Sequence, residues 1–165
     1  MEEFEKFLSN INPISNSAMK SLWNNFQPSQ LSAGEYFVRE GEYAQRIGFL
    51  KSGIVRAFFL NQEGKEYNKQ FFIGPSIIGP YTALLTKQAN QIAQQALTDC
   101  IVYVANYTAL EKLYDEFHEI ERLGRKLAEY YFLEKEQKEL EMALLDADKR
   151  YLIMRERFPS IESRI

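Results

Sequence analysis

Few side chains in this 165-residue sequence could do covalent chemistry, and they do not gather. His118 is the single histidine and stands at the start of a helical stretch. A Ser/His/Asp nucleophilic set needs its histidine at the reacting centre, and a cupin-like metal site needs several converging inside a barrel. Cys100, the single cysteine, lies in the apolar run CIVYV, where a buried core thiol is expected rather than a reactive one. An iron–sulfur cluster would need about four thiolates. Asp146 and Asp148 stand in a charged segment where capping the next helix is their expected work. The glycines are dispersed over turns, with no G-x-x-x-x-G-K phosphate loop. The residues predict no enzyme, no metal site and no cofactor, and leave a cupin-like enzyme as the weaker alternative.

The elements that would position a binding site are better marked. An apolar fraction of 45% against 26% charged is that of a soluble globular chain, and one cysteine excludes an intramolecular disulfide framework. The segment MEEFEKFLSN lacks an apolar signal core, and no apolar run approaches the roughly 18 residues of a membrane span. A cytoplasmic protein without a membrane partner is expected. The net charge of −3 gives no basic surplus for direct nucleic-acid binding.

Residues 1–28 read as short helices, with Ser15 or Ser17 as a cap, Met19, Leu22, Trp23 and Phe26 on one face, and Pro28 as the stop. Over Gln30–Val104 the glycines from Gly34 to Gly79 recur every five to eleven residues, between short runs rich in Phe, Tyr, Ile and Val. Arg46–Lys51, Ile54–Leu60 and Glu66–Ile73 read as strands joined by turns at Ser52-Gly53 and Asn61-Gln62-Glu63-Gly64. Ile92–Leu97 and Cys100–Val104 read as a further pair around Thr98-Asp99. The fold class expected is mainly β with flanking helices: a double-stranded β-helix, or jelly roll, followed by a long helix.

Beyond Asn106 only Gly124 remains and helical composition takes over. Residues 107–145 read as a short helix, capped by Asn106, and a long one over Phe117–Leu145. About 29 residues make a rod of roughly 43 Å, longer than one small β-domain needs, so a partner helix is expected. Leu123, Leu127, Tyr130, Tyr131, Leu140 and Leu144 are the residues expected to pair it with a second copy. Residues 146–165 read as a hinge and the start of a further helical unit, broken at Pro159.

This order of elements resembles the CRP/FNR family of bacterial transcription regulators. The segment EYFVREGEYAQRIGFLKSGIVRAFFLNQEGKEYNKQFF looks like the family's early strands, and LLDADKRYLIMRERFP like its link from dimer helix to DNA-binding domain. The stretch Phe72–Val104, with its Gly-Pro and Gly-Pro-Tyr-Thr turns, looks like the ligand-holding part of a cyclic-nucleotide-binding domain. The resemblance implies four parts: N-terminal helices (1–28), a sensor roll (29–106), the short and dimerisation helices (107–145), and a hinge leading into a DNA-binding domain (146–165). It implies a homodimeric effector domain that reaches DNA only through a winged helix-turn-helix absent from these residues. The alternative is a stand-alone interaction module with no DNA role.

One departure bears on the ligand. Nucleotide-binding members of the family carry a Gly-Glu pair where this chain has Gly79-Pro80, and an Arg followed by Ser or Thr near Asn90-Gln91. No arginine occurs between Arg56 and Arg122, and no glutamate between Glu66 and Glu111. A cyclic phosphate would go in without its bidentate partner, so the usual ligand is not expected. The candidate pocket residues are Gly79, Pro80, Tyr81, Thr82, Asn90, Gln91, Tyr130 and Tyr131, with Gln94 and Gln95 nearby. Neutral groups there suit an uncharged or weakly polar ligand, and suit equally a collapsed pocket with solvated strand residues. The effector is unknown from sequence.

Overall fold

The computed structural model describes residues 1–61, 63–159 and 161–163. Gln62 of the expected turn, and Ser160, Arg164 and Ile165 of the terminal segment, lie outside them. Two helices come first, α1 (Glu2–Ile11) and α2 (Asn16–Trp23). The Ser15 hydroxyl accepts the Ala18 amide at 3.3 Å and so caps α2. Phe4 and Leu8, four apart, bury one face of α1, and Met19 and Leu22 do the same for α2. Pro28 does not stop this helix, which ends at Trp23. It sits in an edge strand, where a missing N–H is tolerated.

Among the described residues eight strands follow: β1 (Gln27–Leu31), β2 (Tyr36–Val38), β3 (Arg46–Ser52), β4 (Ile54–Leu60), β5 (Glu66–Ile73), β6 (Ser76–Ile78), β7 (Ala93–Ala96) and β8 (Cys100–Asn106). They build two antiparallel four-stranded sheets, ordered β1-β8-β3-β6 and β2-β7-β4-β5, which make a jelly roll. The hairpin β4–β5 forms as expected. Two other pairings do not. The strands on either side of Thr98-Asp99 belong to different sheets, β7 between β2 and β4, β8 between β1 and β3. Ser52-Gly53 is likewise a crossing from one sheet to the other. Gly53 has φ +105°, and a Cβ there would lie 2.5 Å from Cys100 Sγ and 2.7 Å from the Asp99 carbonyl oxygen. Turn residues mark where a chain reverses; which neighbour it then joins is decided by packing.

The strand period of two separates two cores along β3. Leu50 packs between the sheets with Val55, Ile78, Cys100 and Val102. Phe49 faces the other way, edge-on to Phe4 at 5.0 Å, in a cluster that includes α1 and α2. That cluster also takes in α4 (Tyr107–Glu116) and the start of α5 (His118–Leu144). Asn106 caps α4 by accepting the Ala109 amide at 3.2 Å. At 27 residues α5 is about 40 Å long. Only Ile120 and Leu123 of it are buried, and Glu119 ties its first turn to α2 by accepting the Ser15 amide at 2.8 Å.

Two helices remain. The short α3 (Tyr81–Thr86) lies between β6 and β7, and α6 (Ala147–Arg157) follows α5. Asp146 caps α6 through the Lys149 amide at 2.9 Å. Phe158 then lies edge-on to Phe71 of β5, at 6.1 Å.

Candidate functional site

A cavity of about 410 Å³ lies between the β2-β7-β4-β5 sheet and α5, within the range of small-molecule sites. Its floor is set by strand register. Gln70, Ala57 and Gln94 stand side by side across β5, β4 and β7. The methyl of Ala57 between two amides keeps the floor low. One wall comes from Ile77, Ile78 and Gly79 and from the start of α3. Leu127, Tyr131 and Lys135, each four residues on from the last, form the roof on one face of α5.

Gln94 is 4% exposed, and its Oε1 has no hydrogen-bond partner among the described residues. A buried acceptor left unpaired costs about 1–3 kcal/mol, so in a folded protein it asks for a reason. Its neighbour Gln95 points to the opposite face, where Oε1 accepts the Arg56 guanidinium at 2.8 Å. Arg56 also reaches Glu66 at 2.6 Å on that outer face. No guanidinium or carboxylate therefore lines the cavity among the described residues, and Lys69 and Lys135 are its charged members.

Lys69 is there because of a bulge. Ala57 pairs with Gln70 and Phe58 with Asn68, which leaves Lys69 as the extra residue of β5. Strict alternation would set Lys69 on the face opposite Gln70; the bulge re-aims it to the cavity rim. Burial first, then the charge of Lys135, hold its ammonium below the ordinary lysine range. Lys135 pairs with Glu139 at 2.9 Å, whereas Lys69 makes no ion pair among the described residues.

Three phenols meet where α3, α4 and α5 converge. Tyr81 and Tyr107 meet edge-on with ring centroids 5.9 Å apart, and burial is the leading cause that raises the hydroxyl pKa of Tyr107 and of Tyr114. Tyr131 pins α5 to β6. Its hydroxyl donates to the Ile77 carbonyl at 3.2 Å and accepts the Ile77 amide at 3.3 Å.

Of the expected pocket residues, Gly79, Pro80, Tyr81, Thr82, Asn90 and Tyr131 line this one cavity, and Gln91 and Tyr130 do not. Asn90 lines it with its hydrogen-bonding capacity already used. Its Nδ2 donates to the carbonyls of Arg39 and Ile92, at 3.0 and 2.7 Å, and its Oδ1 accepts the Ile92 amide. It clamps a loop. Gln91 is exposed. Of the expected pairing residues, Leu123 is 4% exposed inside the chain's own core and Tyr131 is bound to β6, so neither faces outward. Leu127 lines the cavity, while Tyr130, Leu140 and Leu144 are at least half exposed. Ala57, Lys69, Gln70, Tyr107, Tyr114 and Lys135 were not foreseen. Spacing of four from Leu127 and Tyr131 could have found Lys135; no sequence signal announces the bulge that places Lys69.

His118 is exposed and pairs with Glu121 at 3.1 Å. Cys100 is buried, which raises its thiol pKa. Among the described residues no group of three or more His, Cys, Asp or Glu could hold a metal ion. Among them, too, no helix is long and apolar enough to cross a membrane.

The family model described as "cyclic nucleotide-binding domain" matches residues 28–117, from β1 through the end of α4. The chain belongs to this family. Solved structures agree in fold. A cyclic nucleotide-binding domain from Methylobacillus flagellatus KT is 16% identical, with TM-score 0.75, over 88% of this chain and 85% of its own. A transcriptional regulator assigned to the CRP/FNR family from Eubacterium rectale is 14% identical, with TM-score 0.73, over 93% of this chain and 74% of its own. The Thermus thermophilus catabolite activator protein is 17% identical, with TM-score 0.68, over 81% of this chain. Its own chain is covered only to 61%. No curated protein matches the sequence. In this cyclic nucleotide-binding domain the matched region ends at Phe117, so the cavity roof on α5 lies beyond the matched residues.

Proposed function

We propose that this chain is the ligand-sensing and dimerising effector module of a CRP/FNR-like transcription regulator, and that its ligand is not a cyclic nucleotide held in the family's usual manner. The observation that carries this reading is the cavity. It touches the sheet floor and α5 at once, and among the described residues neither guanidinium nor carboxylate lines it. A buried cyclic phosphate would lose water without gaining a bidentate partner, a penalty of several kcal/mol. Lysine supplies a charge but not the fork.

The outer face of α5 supports pairing with a second copy. Tyr130, Leu133, Gln137, Leu140 and Leu144 follow alternating steps of three and four, the spacing of a coiled-coil seam. Leu133, Leu140 and Leu144 are 66%, 55% and 76% exposed in the single chain. In this reading residues 1–28 brace the roll, 29–106 sense, 107–145 carry the signal to the partner, and 146–165 lead to a winged helix-turn-helix. A ligand that prefers one packing of α5 on the roll would shift the population of helix pairings and reorient the DNA-reading domains, in the cytoplasm.

Calorimetric titration with cyclic AMP and cyclic GMP tests the ligand statement. No heat of binding is expected at tens of micromolar protein. Tight binding of either nucleotide would overturn it.

A further inference from the structure

Three side chains of the cavity bear on what it could hold. Gln94 lines the floor at 4% exposed, and its buried Oε1 has no hydrogen-bond partner among the described residues. The bulge in β5 turns Lys69 onto the rim, where it makes no ion pair among the described residues. Lys135 reaches the same cavity from α5, and its charge acts on Lys69 together with the opposing charge of Glu139, its ion-pair partner. Between floor and rim the lining is dominated by aliphatic and aromatic side chains such as Ile78, Ile92, Leu127 and Phe132. The cavity thus combines an amide, apolar walls and two ammonium groups.

We infer that the cavity takes an amphipathic monocarboxylate: its carboxylate between Lys69 and Lys135, its apolar body across the middle, and a hydroxyl or N–H donor at its far end on Gln94 Oε1. The inference rests on the proposed reading of the cavity as the sensing site, and names the class of effector. Each end answers a cost that the unliganded chain bears. A donor satisfies the buried amide oxygen. A carboxylate relieves the repulsion and desolvation that depress the Lys69 ammonium. An anion held jointly by a strand and by α5 also favours one position of the helix over the roll. A neutral ligand resting on the apolar walls would lack that preference.

The test compares 10-hydroxydecanoate, decanoate and decan-1-ol by calorimetry and by displacement of a neutral fluorophore, N-phenyl-1-naphthylamine. Ala57→Phe, which raises the floor, reports whether each compound occupies this cavity. The hydroxy acid should bind tightest, with decanoate at least tenfold tighter than decanol. Lys69→Gln should erase the difference between acid and alcohol, and Lys69→Arg should retain it. Gln94→Leu should erase the advantage of the hydroxy acid while leaving decanoate binding unchanged, which also shows the variant folded. If decanol binds as well as decanoate, or the preference for acid survives Lys69→Gln with Lys135→Gln, the inference is wrong while the sensing cavity stands. If no compound, the neutral fluorophore included, binds in a manner sensitive to Ala57→Phe, the sensing reading falls with it.

Discussion

The Tyr114 hydroxyl rests where a side chain at residue 124 would begin: a Cβ on Gly124 would lie 2.8 Å from Tyr114 Oη and 3.2 Å from Cζ. Gly124 is the one glycine in α5, and a glycine inside a helix costs about 1 kcal/mol relative to alanine. The cost is accepted for the close approach of α4 to α5. Gly124→Ala should therefore gain less than that amount in the native background, because the phenol must tilt away. In a Tyr114→Leu background the same change should stabilise by about 1 kcal/mol. Urea unfolding of the four proteins measures the difference. Equal gains in both backgrounds would mean that Tyr114 does not restrict position 124.

Residues on two sides of α5 should respond in different ways. Leu123 lies in the chain's own core, so Leu123→Ala should cost about 2–5 kcal/mol of stability. Leu133 and Leu140 face outward on the proposed seam. Introducing Leu133→Glu and Leu140→Glu together should halve the mass seen by light scattering and leave the far-ultraviolet dichroism of the roll in place. A native protein that is already a monomer at tens of micromolar, or a double variant that remains a dimer, would remove the seam.

Alkaline pH should destabilise the fold through groups that burial keeps protonated. Burial is the leading cause that raises the pKa of Tyr107, Tyr114, Tyr131 and Cys100. Below the ordinary thiol and phenol ranges, about 8.5 and 10, both states hold these protons and stability does not vary with pH on their account. Above them the unfolded chain releases protons that the folded chain keeps, so stability falls as pH rises. The melting temperature should be level from pH 7 to about 8.5 and decline beyond, most steeply above about 10. Tyr107→Phe should make the decline shallower. A flat profile to pH 11 would show that these hydroxyls ionise freely in the fold.

Local chemistry made much of this fold legible. Ser15, Asn106 and Asp146 cap the helices that their side chains announce. The adjacent Phe49 and Leu50 of β3 divide between two cores, as a strand period of two requires. Pairing across the sandwich was not legible, because turn residues at Ser52-Gly53 and Thr98-Asp99 look the same whether a strand returns to its neighbour or crosses to the other sheet. For the site, Gly79 to Thr82 mark its wall in sequence, since a Gly-Pro turn is a local event. Lys69 is not marked, and Gln94 is marked only together with Gln95, without a sign of which of the two turns inward. One depends on a single-residue slip of register, the other on which face of AQQA turns inward, and both are settled only by the partner strands.

The link from α5 to α6 is held by contacts that can be cut one at a time. Arg157 reaches both oxygens of Glu141, at 2.6 and 3.3 Å, and Phe158 lies edge-on to Phe71 of the roll. Arg150 adds a bond to the Leu145 carbonyl at 3.1 Å. The Arg157 guanidinium is the leading reason that the Glu141 carboxyl titrates below its ordinary value. Its stabilisation is thus present above the usual carboxylate range and lost as pH falls through the lowered value. Glu141→Gln should weaken the docking of α6, and Phe158→Ala should do so at neutral and acid pH alike. Trypsin cleavage at Arg150 and Arg155 reads this, since both lie in α6. Glu141→Gln should be cut about tenfold faster, as expected when one charge-assisted hydrogen bond of ~1.5 kcal/mol is lost and cleavage follows the open population. Unchanged cleavage in Glu141→Gln would mean that α6 is held by its aromatic contact alone, and a signal passing from α5 would then have to travel through Phe71 and the roll.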